Sequence, residues 1–303
     1  MITILTPTYN RKKQLSNLYE SLKRQINKKF VWYIIDDGST DGTDKLIKGF
    51  QKEKLLNIRY DKKKNGGKHT AINYAAKRID TELTMIVDSD DLLTPDAIET
   101  IFNDWLENCE KPGLGGLNYL RGYSGIEVIG KQWPHDEQFG NTITLTCNKG
   151  IIGDKAEVLR TDILKAHPFP EFQGEKFLSE CYLWIEMAKE YDMFMRNKII
   201  YITQYLEGGL SKSGRTMQIN SPKGAMLNAA EYMYSKFSFK LKLKNSLLYN
   251  CYGFFQGLSF TQMWKQSPNK LLTTVGFFPG FALYLYWKKK YVTEHHKEQV
   301  NKR

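Results

Sequence analysis

Cysteine is scarce: of 303 residues only Cys109, Cys147, Cys181 and Cys251 are cysteines, far apart and without a CxxC pair. That spacing excludes a disulfide framework and a zinc ribbon, and it predicts reduced thiols in cytosol. A secretory leader is also missing from the start, because "MITILTPTYNR" is too short and too β-branched, so export through a cleaved leader is not expected. No Walker sequence GxxxxGK[ST] occurs. His69, His135 and His167 stand singly, and His295-His296 lies in a basic tail, so no histidine pair has metal-ligand spacing. Neither internal repeats nor low-complexity segments appear.

Long apolar runs are absent too. The strongest candidate, Leu271 to Trp287, has 17 residues interrupted by Gly276, Pro279 and Gly280, and a span needs roughly 20. Its Tyr/Trp end followed by Lys288, Lys289 and Lys290 suits an interfacial segment on an anionic leaflet. Packing of a C-terminal helix on the main domain and a true span are the alternatives.

What is present is a basic chain, 41% apolar, with a formal charge of +11. Its length allows one large domain or roughly two smaller ones. The charge admits nucleic acid, anionic lipid or a phosphorylated ligand as partner, and no nucleic-acid-binding signature accompanies it. One local excess stands in the tail from Lys288 to Arg303, six Lys/Arg against two Glu.

The first hundred residues alternate. "ITILT", "VWYIID", "NIRY" and "LTMIVD" read as strands, and "KKQLSNLYESLKRQ", "DGTDKLIKGFQKE" and "KHTAINYAAKRI" as helices. Near-continuous apolar strands in such an order predict a parallel sheet covered on both faces, with ligands gathered at the strand C-termini. From Lys111 to Gly153 the alternation breaks into Gly-punctuated short strands and the loop "QWPHDEQFGN". Beyond it "EVLRTDILKAH" and "GEKFLSECYLWIEMAKEYD" read as helices, "KIIYITQYL" as a strand and "EGGLSKSGRT" as a loop. Lys223 to Phe237 and Lys244 to Trp264 read as two further helices.

Three loops at the predicted sheet rim carry the chemistry. "VDSDD" ends a strand in Asp88, Asp90 and Asp91. Capping of the next helix explains one or two of these acids, but three carboxylates so close repel one another unless a cation or a donor network compensates them. In "DDGSTDGT", Asp37 can accept from a pyrimidine-ring N–H, or serve only a turn before a capped helix. In "NGGKHTAIN", Gly66 and Gly67 let backbone approach a ligand, and Lys68 offers a cation at a helix start.

Taken in order, "TPTYNR", "DDGSTDGT", "NGGKHTAIN" and "VDSDD" resemble the donor-site motifs of family 2 glycosyltransferases of the GT-A fold, over roughly residues 1 to 105. "GDKAEVLRTDIL", "GEKFLSE" and "YLEGGLSKS" resemble bacterial polysaccharide-assembling members less specifically. The resemblance implies an α/β, GT-A (Rossmann-like) fold: a mixed, mostly parallel sheet flanked by helices, with a C-terminal helical extension. The domains expected are a catalytic domain over 1–220, donor-binding in 1–105 and acceptor-binding in 106–220, and a membrane-associating helical region over 221–303.

It further implies that Pro7 and Tyr9 border the base and Asp37 binds its N–H. Asn65, Lys68 and Asn73 would line the donor site, Asp88, Ser89 and Asp90 would hold ribose and metal, and Asp90 is the metal ligand. Asp91 is open between support and helix entry. A UDP-sugar donor, Mn²⁺ or Mg²⁺, and a glycan or lipid-linked oligosaccharide acceptor at the anionic inner face of the cell membrane complete the expectation, with no nucleic-acid partner.

Inversion needs a base to take the acceptor proton. The family's Glu-Asp pair reads Glu180-Cys181 here. Helical spacing puts Glu180 on one face with Phe177, Trp184, Ala188 and Tyr191, opposite Glu186 and Glu190, so Glu180 is the predicted base and a buried ion-paired Glu is the alternative. Glu175 and Asp154 are the fallbacks. Trp133, Tyr182 and Trp184 are stacking candidates that core packing explains equally. Rival functions are a nucleotidyltransferase, which would want a Gly-rich basic N-terminal loop, and an inactive sugar-nucleotide or glycan-binding module.

Overall fold

The computed structural model describes residues 1–203, 210–234 and 236–293. The sequence expectations for 204–209, for 235 and for the tail beyond 293, His295 and His296 included, lie outside the described residues. Of the described residues, 1–169 and 186–203 form one unit, and 170–185, 210–234 and 236–293 a second.

The first unit opens with β1 (Ile2–Thr8), α1 (Lys12–Lys23), β2 (Phe30–Asp36), α2 (Thr43–Glu53), β3 (Ile58–Lys62), α3 (Lys68–Ala76) and β4 (Leu83–Ile86). Every residue of β1 and β4 is buried, as strands covered on both faces require. Tyr19 of α1 stacks on Phe50 of α2 at 3.9 Å and on Trp32 of β2 at 6.0 Å, which fastens this helical layer to the sheet. The chain continues through β5 (Leu92–Leu93), α4 (Ala97–Asn108), β6 (Leu114–Gly122), β7 (Gln138–Gly140), β8 (Lys155–Arg160), α5 (Thr161–Ala166), α6 (Cys181–Ala188) and β9 (Asp192–Ile202).

Among the described residues these strands form one sheet in the order β3-β2-β1-β4-β8-β6-β9-β5, with β7 also on β9. Here β1 to β4, β6 and β9 run one way, and β5, β7 and β8 the other. The fold is therefore the mixed, mostly parallel sheet that was expected.

Several local expectations are corrected. "EVLRTDILKAH" is not one helix: Lys155–Arg160 is β8, bonded to both β4 and β6, and only Thr161–Ala166 is helical. A central sheet position satisfies backbone groups on both sides, and that outweighs local helical spacing. In "GEKFLSECYLWIEMAKEYD" the helix is confined to Cys181–Ala188. Its buried residues are Leu183, Ile185, Met187 and Ala188, while Phe177, Trp184 and Tyr191 are half-buried, so the apolar face differs from the predicted one. The part of "EGGLSKSGRT" within the described residues is helical.

The second unit holds α7 (Leu210–Asn220), α8 (Pro222–Glu231), α9 (Phe239–Phe255), α10 (Phe260–Gln266) and α11 (Lys270–Trp287). The three glycine and proline positions that interrupt the last apolar run do not break α11. Gly276 and Gly280 lie against α9, where an added Cβ would come within 2.7 Å of Ser246 Oγ and 2.8 Å of the Leu247 carbonyl. They are the seam along which the two helices touch. Asn250, fully buried, donates to the carbonyls of Ser246 and Thr273 and so ties α9 to α11. Among the described residues no helix is long and apolar enough to cross a membrane.

Candidate active site

Because β1, β2, β4, β6 and β9 run the same way, their C-terminal ends share one rim of the first unit, where loop side chains and backbone donors can converge. The loop after β1 is fastened to the loop after β2. Asn10 accepts from the Thr40 N–H at 2.8 Å and donates its own N–H to Ser39 Oγ at 2.9 Å, and the Lys12 N–H bonds Asp41.

The doubled acid at the end of β2 divides its labour. Asp36 accepts from the Ser39 N–H at 2.6 Å and from the Tyr60 hydroxyl at 2.8 Å, closing the turn. Asp37, 4% exposed, turns to the "KKNGG" loop instead. Its carboxylate accepts from Lys63 Nζ (2.8 Å), Asn65 Nδ2 (3.1 Å), the Gly66 N–H (2.9 Å) and the Gly67 N–H (2.7 Å). Gly67 presents that N–H from φ +97°, a backbone state that favours glycine. Asp37 and Asn65, both predicted to meet the donor, are brought together, with the Asp37 carboxylate engaged by this loop.

The acidic end of β4 is compensated acid by acid. Asp88 pairs with Lys68 Nζ at 2.5 Å, Asp90 with Arg11 Nη1 at 3.5 Å, and Asp91 faces Arg121 Nη1 at 3.9 Å. The Asp88 N–H donates to the Tyr201 hydroxyl at 3.0 Å, and the Arg121 guanidinium lies 4.0 Å over the Tyr201 ring. Burial pushes the Asp88 carboxyl up, but Lys68, Arg121 and Arg11 together outweigh it and hold it below the usual carboxylate range. Tyr201, fully buried, is pushed well above the ordinary phenol value by desolvation. Asp91 is buried beside Arg121, well before the α4 start at Ala97, which places it in the rim and not at a helix entry.

Arg11, Arg121 and Tyr201 were not singled out by sequence reasoning. Arg11 stands inside the quoted "TPTYNR". Arg121 stands near the end of β6, in the stretch where strand and helix no longer alternate, and Tyr201 near the end of β9, and only the sheet order brings them to β4.

Of the other predicted residues, some stand at this rim and others elsewhere. Pro7 is buried within β1, Tyr9 is 49% exposed at the rim, and Ser89 is buried. Asn73 uses both ends of its amide on the backbone of Phe169, at 2.8 Å each way, so it acts as a clamp within the unit. Trp133 is buried beneath Lys155, a core position. Asp154 is exposed. Glu175 and Glu180 belong to the second unit. Glu175 accepts the N–H groups of Lys223 and Gly224 at 2.8 and 2.9 Å and so caps α8. Glu180 is half-buried directly before α6, and its carbonyl accepts from the Trp184 N–H.

The donor set suits a hard divalent cation shared with a ligand. Asp88 and Asp90 offer carboxylate oxygens with side chains 34% and 25% exposed. Among the described residues no three His, Cys, Asp or Glu side chains are grouped to hold a metal by themselves. A divalent ion held there by Asp88 and Asp90 would draw its remaining oxygens from phosphate and water.

Residues 3–165 match the family described as Glycosyl transferase family 2. The chain is 24% identical over 199 residues to a Campylobacter jejuni protein named GalNAc(5)-diNAcBac-PP-undecaprenol beta-1,3-glucosyltransferase, covering 64% of this chain and 62% of that one. The first curated relatives, glycosyltransferases of Rickettsia, are longer, and the matched stretch spans 30% of their length. Among solved structures, S. aureus TarS 1-349 in complex with UDP-GlcNAc superposes with a TM-score of 0.60 at 19% identity, over 93% of this chain and 80% of that one. Mannosyltransferase PcManGT from Pyrobaculum calidifontis, in complex with GDP-Man and Mn²⁺, gives 0.56 at 15% identity, over 96% and 82%. At such identities the likeness speaks for the GT-A fold. The family match takes in more than half of the sequence, with all the acids and cations of the rim inside it, and the chain belongs to glycosyl transferase family 2.

Proposed function

We propose that this chain is an inverting glycosyltransferase that moves a sugar from a nucleotide-sugar donor, a UDP-sugar, to a lipid-linked glycan acceptor in bacterial surface polysaccharide synthesis. The observation that carries this reading is the compensated acidic rim: Asp88, Asp90 and Asp91 facing Lys68, Arg11 and Arg121 at the C-terminal edge of the sheet. Such a rim offers an anionic diphosphate several cations while keeping carboxylate oxygens for a metal. Asp90, with Asp88 beside it, would hold Mn²⁺ or Mg²⁺, which supplies positive charge to the diphosphate leaving group. The UDP-GlcNAc bound by TarS, the Mn²⁺ of the mannosyltransferase complex and the undecaprenol-linked name of the Campylobacter relative support donor, metal and acceptor class.

Tyr9, exposed at the rim, borders the base, and Lys68 and Arg121 meet the phosphates. Asp37 holds the "KKNGG" loop that the base would approach. Glu180 is the base that takes the proton from the acceptor hydroxyl, with residues 106–220 as the acceptor-binding part. The chain works at the inner membrane face through α11, whose exposed stripe runs through Leu271, Val275, Phe278, Phe281, Leu285 and Tyr286 and ends at three lysines.

A panel of nucleotide sugars with Mn²⁺, read by thermal shift and by release of UDP in the presence of a lipid-linked acceptor, tests the reading. One UDP-sugar should stabilise the protein and turn over, and Asp90→Ala should remove both the metal-dependent stabilisation and turnover. Full activity in Asp90→Ala would sink the metal assignment.

A further inference from the structure

The second unit contains a cavity of about 420 Å³ between α7, α8, α9 and α11, lined by none of the residues of the acidic rim. Two of its lining residues, Arg215 and Lys244, are cations, and among the described residues no Asp or Glu lines it. Arg215 is held in place by neutral groups. Its Nη1 donates to the Tyr252 hydroxyl at 2.7 Å and to Gln218 Oε1 at 2.9 Å, and the guanidinium lies 4.0 Å over the Trp287 ring. The Tyr252 hydroxyl in turn donates to Gln218 at 2.7 Å.

A guanidinium has five N–H donors in a planar fork, and here both side-chain bonds among the described residues leave from one nitrogen. Beside it the Asn228 side chain has a buried Oδ1 with no hydrogen-bond partner among the described residues. Asn228 lines the same cavity, and this open acceptor would take a hydroxyl or N–H of a ligand, not a phosphate oxygen. The opposite character is also present: Leu247, Leu248 and Leu283 form apolar wall.

A fixed, half-buried cation without a carboxylate is a cost to folding unless an anion from outside completes it. The planar fork and a second cation at the mouth suit the several oxygens of a phosphoryl group better than a single carboxylate. The leucine wall suits a hydrocarbon chain attached to it. We propose that this cavity binds the phosphoryl headgroup of a phosphorylated lipid, with Arg215 and Lys244 on the phosphate and the leucines on the chain. The site rests on residues of the second unit alone and does not depend on the transfer reading.

The test uses the full chain and calorimetric titration with dodecyl phosphate below its micelle concentration, with inorganic phosphate and with uncharged dodecyl maltoside. Dodecyl phosphate should bind saturably and at least about tenfold more tightly than inorganic phosphate, and the maltoside should not compete. Lys244→Gln, at an exposed mouth position, should weaken binding severalfold, and Arg215→Lys, which keeps the charge but loses the fork, should do so further. UDP binding with Mn²⁺ should be unchanged in both, which keeps failure here distinct from failure of the donor site. Equal affinity for inorganic and dodecyl phosphate would assign the cavity to free phosphate and overturn the proposal. So would unaltered dodecyl phosphate binding in Lys244→Gln, a variant whose fold is not at risk.

Discussion

Lys68, the first residue of α3, holds the Asp88 carboxylate at the end of β4 at 2.5 Å. The pair joins the "NGGK" loop to the acidic rim, and it sets a pH dependence. Asp88 is held below the ordinary carboxylate range, so its contribution to stability is present above the unfolded value of ~3.9 and is lost as pH falls through the lower folded value. Removing Lys68 takes away the foremost of the opposing cations and raises the folded value. Lys68→Met should therefore begin to lose stability at higher pH than the unaltered chain, as read from acid unfolding followed by circular dichroism. An unchanged acid midpoint would mean that Arg121 and Arg11 suffice.

Asp37 is the knot between two loops, and its four donors make it a buried, fully bonded carboxylate. Asp37→Asn should cost about 3 kcal/mol in urea unfolding, the range for breaking a buried charged pair. Lys63→Met should cost less, and the double variant should cost less than the sum of the two, because both act on one network. Strict additivity would contradict the network.

Glu175 and Glu180 separate structure from chemistry. Glu175→Gln weakens the cap of α8 and should lower stability by about 1 kcal/mol while turnover persists. Glu180→Gln should leave UDP binding and stability intact while turnover falls by 10²-fold or more, the usual contribution of a general base. Equal loss of binding and turnover would give Glu180 a structural role.

The α9–α11 seam is tight enough to test with one methyl group. Gly276→Ala should destabilise by about 1–3 kcal/mol, because the new Cβ meets the Ser246 backbone carbonyl at 2.9 Å as well as its Oγ, and the backbone of α9 cannot step aside as a side-chain tip can. Thermal unfolding gives the measurement. Gly214→Ala, whose Cβ meets nothing within 4 Å, should be neutral or slightly stabilising.

If the exposed stripe of α11 seats on lipid, Phe278→Glu, at a residue 77% exposed, should reduce co-sedimentation with anionic vesicles severalfold without lowering thermal stability. Unchanged sedimentation would remove α11 from membrane attachment.

The first hundred residues were legible because their apolar runs and loop residues are local signals. β1 to β4 with α1 to α3 appear in the order the alternation predicts. "EVLRTDILKAH" was misread because helical spacing is also local, whereas β8 is a strand on account of two neighbours, β4 and β6, that its own residues do not announce. Gly276 and Gly280 look like breaks in an apolar run, and only the presence of α9 against them makes them a contact surface.

The sequence by itself determined that Asp88, Asp90 and Asp91 end a buried strand and that so much like charge needs compensation, since both follow from residue types at fixed spacing. Which groups compensate them was decided by tertiary structure. Lys68 is 20 positions from Asp88 and Tyr201 is 113 away, and they meet only because parallel strands align their C-terminal ends. Periodicity records what a residue's chain neighbours do. The cation opposite each carboxylate is set by strand order, which the chain fixes only by packing on itself.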